Sequence, residues 1–224
     1  MFSLVLPTYN EAENVVRCIE AVCAVLSGRE FEIIVADDDS PDRTWEVAEG
    51  LGNPLVRVLR RTANRGLSPA VVDAFDVAKG EMLGVMDADL QHDESLLPQM
   101  IDALERNEFV VGTRESYGDW PLFRRFSSHF GAAMARTVLG VTLRDPMSGY
   151  FALRRAVFER VRPLLSPKGF KIMLEIFCLA RPEPFAEIGY AFRRRRVGAS
   201  KASPRVVCQY ITSLFELRRR MRRR

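Results

Sequence analysis

Two aspartates one residue apart, in Asp87-Ala88-Asp89-Leu90-Gln91, follow directly on the apolar run Leu83-Gly84-Val85-Met86. An ionised carboxylate is costly to bury unless it is paired or metal-bound, so this pair at the exit of a strand points to a hard divalent cation. Asp87, Asp89 and the amide oxygen of Gln91 offer oxygen ligands and leave positions for water and phosphate, as Mg2+ or Mn2+ prefers. The competing reading is an exposed acidic turn. It loses ground because two more polar runs end apolar segments in the same way: Pro7-Thr8-Tyr9-Asn10-Glu11, and Asp37-Asp38-Asp39-Ser40-Pro41-Asp42. Asp37 at a strand exit can accept hydrogen bonds from a base or ribose, and Tyr9 can stack on the base. Pro41 and Asp42 also serve as a turn leading into the next helix.

Such runs need a scaffold that brings them together. Short β-branched stretches alternate with helical patterns over the first two thirds of the chain, which predicts an α/β fold, a mostly parallel sheet with helices on both faces. Strands are expected at Ser3–Leu6 (stopped by Pro7), Glu32–Ala36, Val56–Leu59, Met82–Met86 and Phe109–Gly112, with the last ending at Thr113-Arg114. Asn10 and Glu13 read as N-cap and capping box for a first helix that buries Val15, Val16, Ile19, Val22, Cys23 and Leu26. Further helices are expected from Thr44, over Ser68–Ala78 and over Leu122–Leu139, with strands near Tyr150–Leu153 and Ile188–Phe192. In open sheets of this kind ligands sit outside the carboxyl ends of the strands, so the three polar runs are expected in one crevice.

The net charge of +4 is a property of one end. Arg218, Arg219, Arg220, Arg222, Arg223 and Arg224 supply more than all of it, leaving the body mildly acidic. That argues against a nucleic-acid-binding body and for a polyanionic surface, such as a membrane, met by the C-terminal segment. The segment Val206–Met221 has helical spacing, with Val207, Ile211, Leu214 and Met221 near one face. The organisation expected is therefore a catalytic domain over 1–203 and an amphipathic helix with a basic tail over 204–224. Cys18, Cys23, Cys178 and Cys208 form no CxxC pair and read as small core residues in a reducing compartment. With no signal-peptide pattern and no apolar run of spanning length, the chain is expected in the cytoplasm, peripheral on the membrane's cytoplasmic face.

The longer motifs narrow the chemistry. Pro7-Thr8-Tyr9-Asn10-Glu11, Val35-Ala36-Asp37-Asp38-Asp39-Ser40-Pro41-Asp42-Arg43-Thr44, Asn64-Arg65-Gly66-Leu67 and Met86-Asp87-Ala88-Asp89-Leu90-Gln91-His92 resemble family 2 inverting glycosyltransferases of the GT-A fold. Gly112-Thr113-Arg114, Trp120-Pro121-Leu122-Phe123-Arg124, Asp145-Pro146-Met147-Ser148-Gly149-Tyr150, Lys168-Gly169-Phe170-Lys171 and Arg195-Arg196-Val197-Gly198-Ala199-Ser200-Lys201 resemble the dolichyl-phosphate (polyprenyl-phosphate) mannosyltransferase branch. The resemblance implies that Pro7, Tyr9, Glu11, Val35 and Asp37 bind the nucleotide, and that Asp87, Ala88, Asp89 and Gln91 hold metal and diphosphate. It also implies that Arg114, Arg124, Ser128, Arg195 and Lys201 engage phosphates of donor or lipid acceptor, with Asp89, Arg114, Arg195 and Lys201 at the chemistry. The reaction implied moves mannose from GDP-mannose to polyprenyl phosphate with inversion, and it is compatible with a membrane-anchoring subunit. A glucosyltransferase using a UDP-sugar, or a membrane-binding module without activity, are the alternatives. This chain departs from the family at Arg43, which replaces the Gly of the usual Ser-Pro-Asp-Gly-Thr turn, and at Asp93, which replaces a Pro. It departs further at Ser68-Pro69 and Asp73-Ala74, and in a short loop between Arg114 and Trp120.

Overall fold

The protein, seen in a computed structural model, is described over residues 1–116, 122–166, 171–193 and 204–222, with side chains for all of these except 116–129 and 204–209. Strands β1 (Phe2–Thr8), β2 (Phe31–Asp37), β3 (Val56–Arg60), β4 (Met82–Val85), β5 (Phe109–Ser116), β6 (Phe151–Arg154) and β7 (Phe185–Ala191) form one sheet in the order β3-β2-β1-β4-β6-β5-β7. All pairings are parallel except those of β6, which runs antiparallel to both β4 and β5. Two antiparallel steps restore direction, so β5 and β7 end at the same edge as β1 to β4, and β6 begins there.

The helices are α1 (Ala12–Val25), α2 (Thr44–Glu49), α3 (Leu67–Val77), α4 (Leu97–Ala103), α5 (Leu122–Leu139), α6 (Arg155–Val161), α7 (Ile172–Ala180) and α8 (Pro204–Arg222). Side chains alternate across a strand, and the core divides accordingly. Leu4, Leu6, Ile33 and Val35 face α1 and α4, where Val15, Ile19, Val22, Met100 and Ile101 are buried against them. Val5, Ile34 and Ala36 face the other way, onto Val71, Phe75, Ile176 and Leu214 of α3, α7 and α8. Helices therefore cover both faces, as the alternation of patterns predicts. Cys18 and Cys178 are buried within these layers.

Two local expectations are corrected. Pro7 does not stop β1, which continues through Pro7 opposite Ala36 to Thr8 opposite Asp37. The odd residues of β1 aim their backbone at β4, as Met86 N–H donating to the Val5 carbonyl shows, and the β4 pairing ends at Val85, so the N–H that proline lacks would have had no strand to meet. Asn10 is not the N-cap of α1. It sits in a left-handed conformation, φ 61°, and the helix start is capped from the β2 exit instead. Ser40 Oγ, Thr44 Oγ1 and Asp42 Oδ2 accept the N–H groups of Asn10, Glu11 and Ala12 at 3.0, 2.9 and 3.0 Å. The capping oxygens lie some thirty residues away in sequence, where a local capping rule does not reach.

Arg43 adopts φ 60°, ψ 33°, the left-handed conformation that glycine takes without penalty. A side chain there costs about 1 kcal/mol, offset in small part by an exposed bond to Glu46 at 2.6 Å. Arg43→Gly is expected to stabilise the fold by about 0.5–1 kcal/mol, read as a higher urea midpoint with unchanged slope. A lower midpoint would show that the Arg43 side chain contributes more than its backbone costs.

Candidate active site

The order β3-β2-β1-β4 reverses direction at β1, which makes the gap between the ends of β1 and β4 the switch point where an open sheet forms its crevice. Pro7 to Glu11 leave β1 there, Asp37 to Asp42 leave β2 beside it, and Asp87 to Gln91 leave β4 on the far side. All three predicted runs thus meet at one edge.

Asp37 is placed as expected but is fully buried. Its carboxylate accepts Thr8 Oγ1 at 2.7 Å, Ser40 Oγ at 2.6 Å and Ser40 N–H at 2.8 Å, so it ties the exits of β1 and β2 together. Val35 and Ala88 are buried in the sheet and its turn. Glu11 accepts Asn14 Nδ2 at 2.7 Å, whereas Tyr9 is 41% exposed and stands over the crevice end of β1. Beneath the neighbouring turn, Arg61 is buried against Asp38, holds Asp73 at 2.8 Å, and donates to the Asn64 carbonyl at 2.7 Å. Asp38 also accepts the Gly66 N–H at 2.6 Å. Burial pushes the Asp38 carboxyl up despite these donors. Asp73, one of the departures from the family pattern, is thus the second counter-charge of a buried arginine.

Asp87 and Asp89 project from the turn after β4, the first half-exposed and the second partly buried. Asp89 Oδ1 accepts the Gln91 N–H at 3.1 Å, and Gln91 Nε2 donates to the Arg193 carbonyl at 3.0 Å, which fixes the amide and leaves its oxygen on the opposite arm. Leu90 between them is forced to φ 61°, an uncommon conformation for a bulky residue and one that costs on the order of 1 kcal/mol. The strain sits between Asp89 and Gln91, in the turn that carries both carboxylates and the amide. Among the described residues no three His, Cys, Asp or Glu side chains group as a metal site. The donor set is two carboxylates plus an amide, all hard oxygens, which suits a cation that completes its shell with water and substrate phosphate. Asp93, the other departure, accepts Ser95 N–H at 3.1 Å to cap the following 3-10 turn, and pairs with Arg193 at 2.8 Å. Arg193 also pairs with Glu94 at 2.5 Å.

Asp87 opens onto a cavity of about 210 Å³ that is also lined by Arg114, Ser148, Gly149 and Lys171. Arg114 sits where β5 brings it, with Nε and Nη2 forked onto Asp145 at 2.7 and 2.9 Å. Burial alone would raise the Asp145 carboxyl, but the guanidinium and backbone N–H donors outweigh it and hold the group below its usual range. Lys171, the N-cap of the almost wholly apolar α7, was assigned no role from sequence beyond its place in a motif. Its ammonium lies within the cavity, 3.4 Å from the Met147 carbonyl, and burial with the nearby Arg114 charge pulls it down to about 8. The one sequence signal was a lysine heading a helix whose only charged residue is Glu175. Arg195 and Lys201 lie outside the described residues, as do the side chains of Arg124 and Ser128, whose backbones belong to α5.

The glycosyl transferase family 2 model matches residues 3–162. A dolichol-phosphate mannosyltransferase of Pyrococcus furiosus is 38% identical over 223 residues, which cover 96% of this chain and 63% of that relative, so the chain spans just under two thirds of its length. A dolichol-phosphate mannosyltransferase of Saccharomyces cerevisiae is 36% identical over 96% of this chain and 86% of that one. Among solved structures, glucosyl-3-phosphoglycerate synthase from Mycobacterium tuberculosis, in complex with Mn2+, UDP-glucose and phosphoglyceric acid, matches with a TM-score of 0.71. It covers 96% of this chain and 80% of that chain at 21% identity, a likeness of fold.

A lysine held near 8 instead of its ordinary 10.5 is charged at neutral pH at a cost on the order of 3 kcal/mol. Between those values the unfolded chain binds the proton and the folded one releases it, so this lysine's contribution makes stability rise with pH from about 8 to 10.5. Lys171→Met is expected to flatten that alkaline rise and to weaken substrate binding. Urea titrations at pH 7, 9 and 10 check it, and a destabilised variant would mean that the ammonium is held by stronger partners than the cavity shows.

Proposed function

The chain belongs to glycosyl transferase family 2, and from that premise we propose that it transfers mannose from GDP-mannose to a polyprenyl (dolichyl-type) phosphate, inverting the anomeric centre to give a β-linked polyprenyl-phosphate sugar. The observation that carries the reading is a single cavity with an acidic wall, Asp87, and a basic wall, Arg114 and Lys171. A donor diphosphate and an acceptor phosphate, both anionic, must approach each other in such a site, and the relatives' names give the transferred mannose and the dolichol phosphate acceptor.

In this reading Asp87, Asp89 and Gln91 hold Mg2+ or Mn2+. The cation supplies Lewis-acid stabilisation of the charge that grows on the leaving diphosphate. Pro7, Tyr9 and Glu11 line the nucleotide side, on a turn braced from beneath by Asp37, with Val35 and Ala88 packed behind them. Arg114, Lys171 and the expected Arg124, Ser128, Arg195 and Lys201 hold the acceptor phosphate. With a second pKa near 6 that phosphate is mostly dianionic at neutral pH, so its oxygen attacks without a protein base. The bond from the anomeric carbon to the donor's β-phosphate oxygen breaks as the bond to the acceptor oxygen forms. One negative charge passes from acceptor to leaving diphosphate and no proton moves. The task left to the protein is placement and relief of repulsion, for which fixed cations suffice.

The lipid end is met by α8. Tyr210, Leu214 and Leu217 pack it into the core. Its outer side carries Phe215, 55% exposed, beside Arg218, Arg219 and Arg222. No helix among the described residues is long and apolar enough to cross a membrane. An aromatic residue amid arginines suits peripheral contact with an anionic, cytoplasmic leaflet.

Radiolabelled donors with polyprenyl phosphate and Mg2+ or Mn2+ test the reaction. GDP-mannose is expected to be used over UDP-glucose, and Asp87→Asn and Asp89→Asn to lower turnover by about 10²–10³-fold. Use of UDP-glucose alone would overturn the mannose assignment. Replacing Arg218, Arg219 and Arg222 together by Ala is expected to weaken flotation with anionic vesicles by roughly 100-fold, about 1 kcal/mol each, and to spare transfer to detergent-dispersed acceptor. Unchanged flotation would count against α8 as the contact.

A further inference from the structure

His92 follows the acidic turn and is 4% exposed, although nothing in the reaction calls on it. Its ring is packed among Tyr150, Phe192 and Tyr190, at centroid distances of 5.0, 5.3 and 5.7 Å. Nδ1 lies 2.6 Å from the Tyr190 hydroxyl, and Nε2 lies 3.3 Å from Asp87 Oδ2. The tautomer follows from the partners. A carboxylate only accepts, so Nε2 carries the ring proton toward Asp87, and Nδ1 receives the Tyr190 hydroxyl. Burial drives the Tyr190 phenol well above its usual range, so it remains a donor. On its other side the same Asp87 oxygen is closed in by Gly149, where a Cβ would come within 3.2 Å.

We propose that His92 and Tyr190 are positioning residues for the cation site: a buried relay, Tyr190 to His92 to Asp87, fixes the plane of the Asp87 carboxylate, and Gly149 keeps room for it. The proposal rests on the reading of Asp87 and Asp89 as cation ligands. It accounts for a polar pair kept inside an aromatic cluster: His92, directly after the acidic turn, and Tyr190 near the end of β7, far from it in sequence. A carboxylate on a strained turn has rotational freedom to lose when it binds a metal, and a hydrogen bond that holds it in place before binding removes part of that cost.

The relay predicts a signature separate from turnover. Mn2+ binding in the presence of GDP, followed by the loss of the free-ion signal in electron paramagnetic resonance, is compared with GDP binding without metal and with thermal stability. His92→Phe keeps a ring but removes the donor, and is expected to weaken Mn2+ about 10–100-fold. Tyr190→Phe removes only the hydroxyl, and a several-fold loss is expected. His92→Gln places an amide N–H near the position of Nε2 and is expected to recover much of the affinity. Metal-free GDP binding stays as in the parent throughout. Asp89→Asn is the control for the underlying reading: if it binds Mn2+ as the parent does, the cation site itself is misassigned. If Asp89→Asn loses Mn2+ while His92→Phe and Tyr190→Phe retain parental affinity, the relay is overturned and the cation site stands. Should the His92 and Tyr190 variants melt earlier yet bind Mn2+ normally, the pair serves packing alone and the relay is equally overturned.

Discussion

The constraint that shapes this molecule is a crowd of carboxylates at one edge of a buried sheet. Asp37, Asp38, Asp39, Asp42, Asp87 and Asp89 all emerge where parallel strands end, and like charges in a poorly hydrated place repel. Each is answered individually. Asp37 takes hydroxyl and amide donors, Asp38 takes Arg61 and the Gly66 amide, and Asp39 takes Arg60 and Arg65. Asp42 spends its charge on the α1 start and on Thr44. Asp89 takes the Gln91 N–H, and Asp87, half-exposed, takes the His92 ring. The arginines packed under the crevice therefore answer Asp38 and Asp39, while Asp37 and Asp42 are held by hydroxyl and amide donors.

How much of this was legible in the sequence follows from the range of the forces involved. Strands β1 to β5 were readable because buried parallel strands need continuous apolar runs, and the helix boundaries over Leu122–Leu139 came from periodicity alone. The Asn10 cap failed because its capping oxygens belong to the turn after β2, a partner no local rule can nominate. Asp37 was placed at the correct strand end, but its burial depends on Thr8 from the neighbouring strand. Lys171 and His92 were invisible for the same reason: what gives them meaning is Arg114, Asp145 and Tyr190, each contributed by a separate piece of chain.

The C-terminal arginines show a related limit. As a run of charge they look equivalent, but the helix gives them different jobs. Arg220 turns inward, bonding Glu175 of α7 at 2.6 Å and the Leu164 carbonyl, while Arg218, Arg219 and Arg222 surround Phe215 outside. Glu175 also accepts the Ser166 N–H at 2.7 Å, so one basic residue of the run secures α8 to the helix that Lys171 heads. Periodicity sorts charges by face only when the packed side is known.

The antiparallel strand β6 has a consequence for how the chain acquires its shape. By residue 85 the strands β3, β2, β1 and β4 can already pair among themselves, but β5 touches only β6 and β7. As synthesis proceeds, β5 is therefore finished some forty residues before it has any sheet neighbour, and Val110 and Val111, buried in the final structure, wait in the open. Phe151–Arg154 between β4 and β5 joins β5 to the rest of the sheet, with contacts spanning long sequence separations of the kind that slow folding. The same strand follows closely on Ser148 and Gly149 and brings them to the crevice beside Asp87, so the reactive edge is incomplete until β6 is in place.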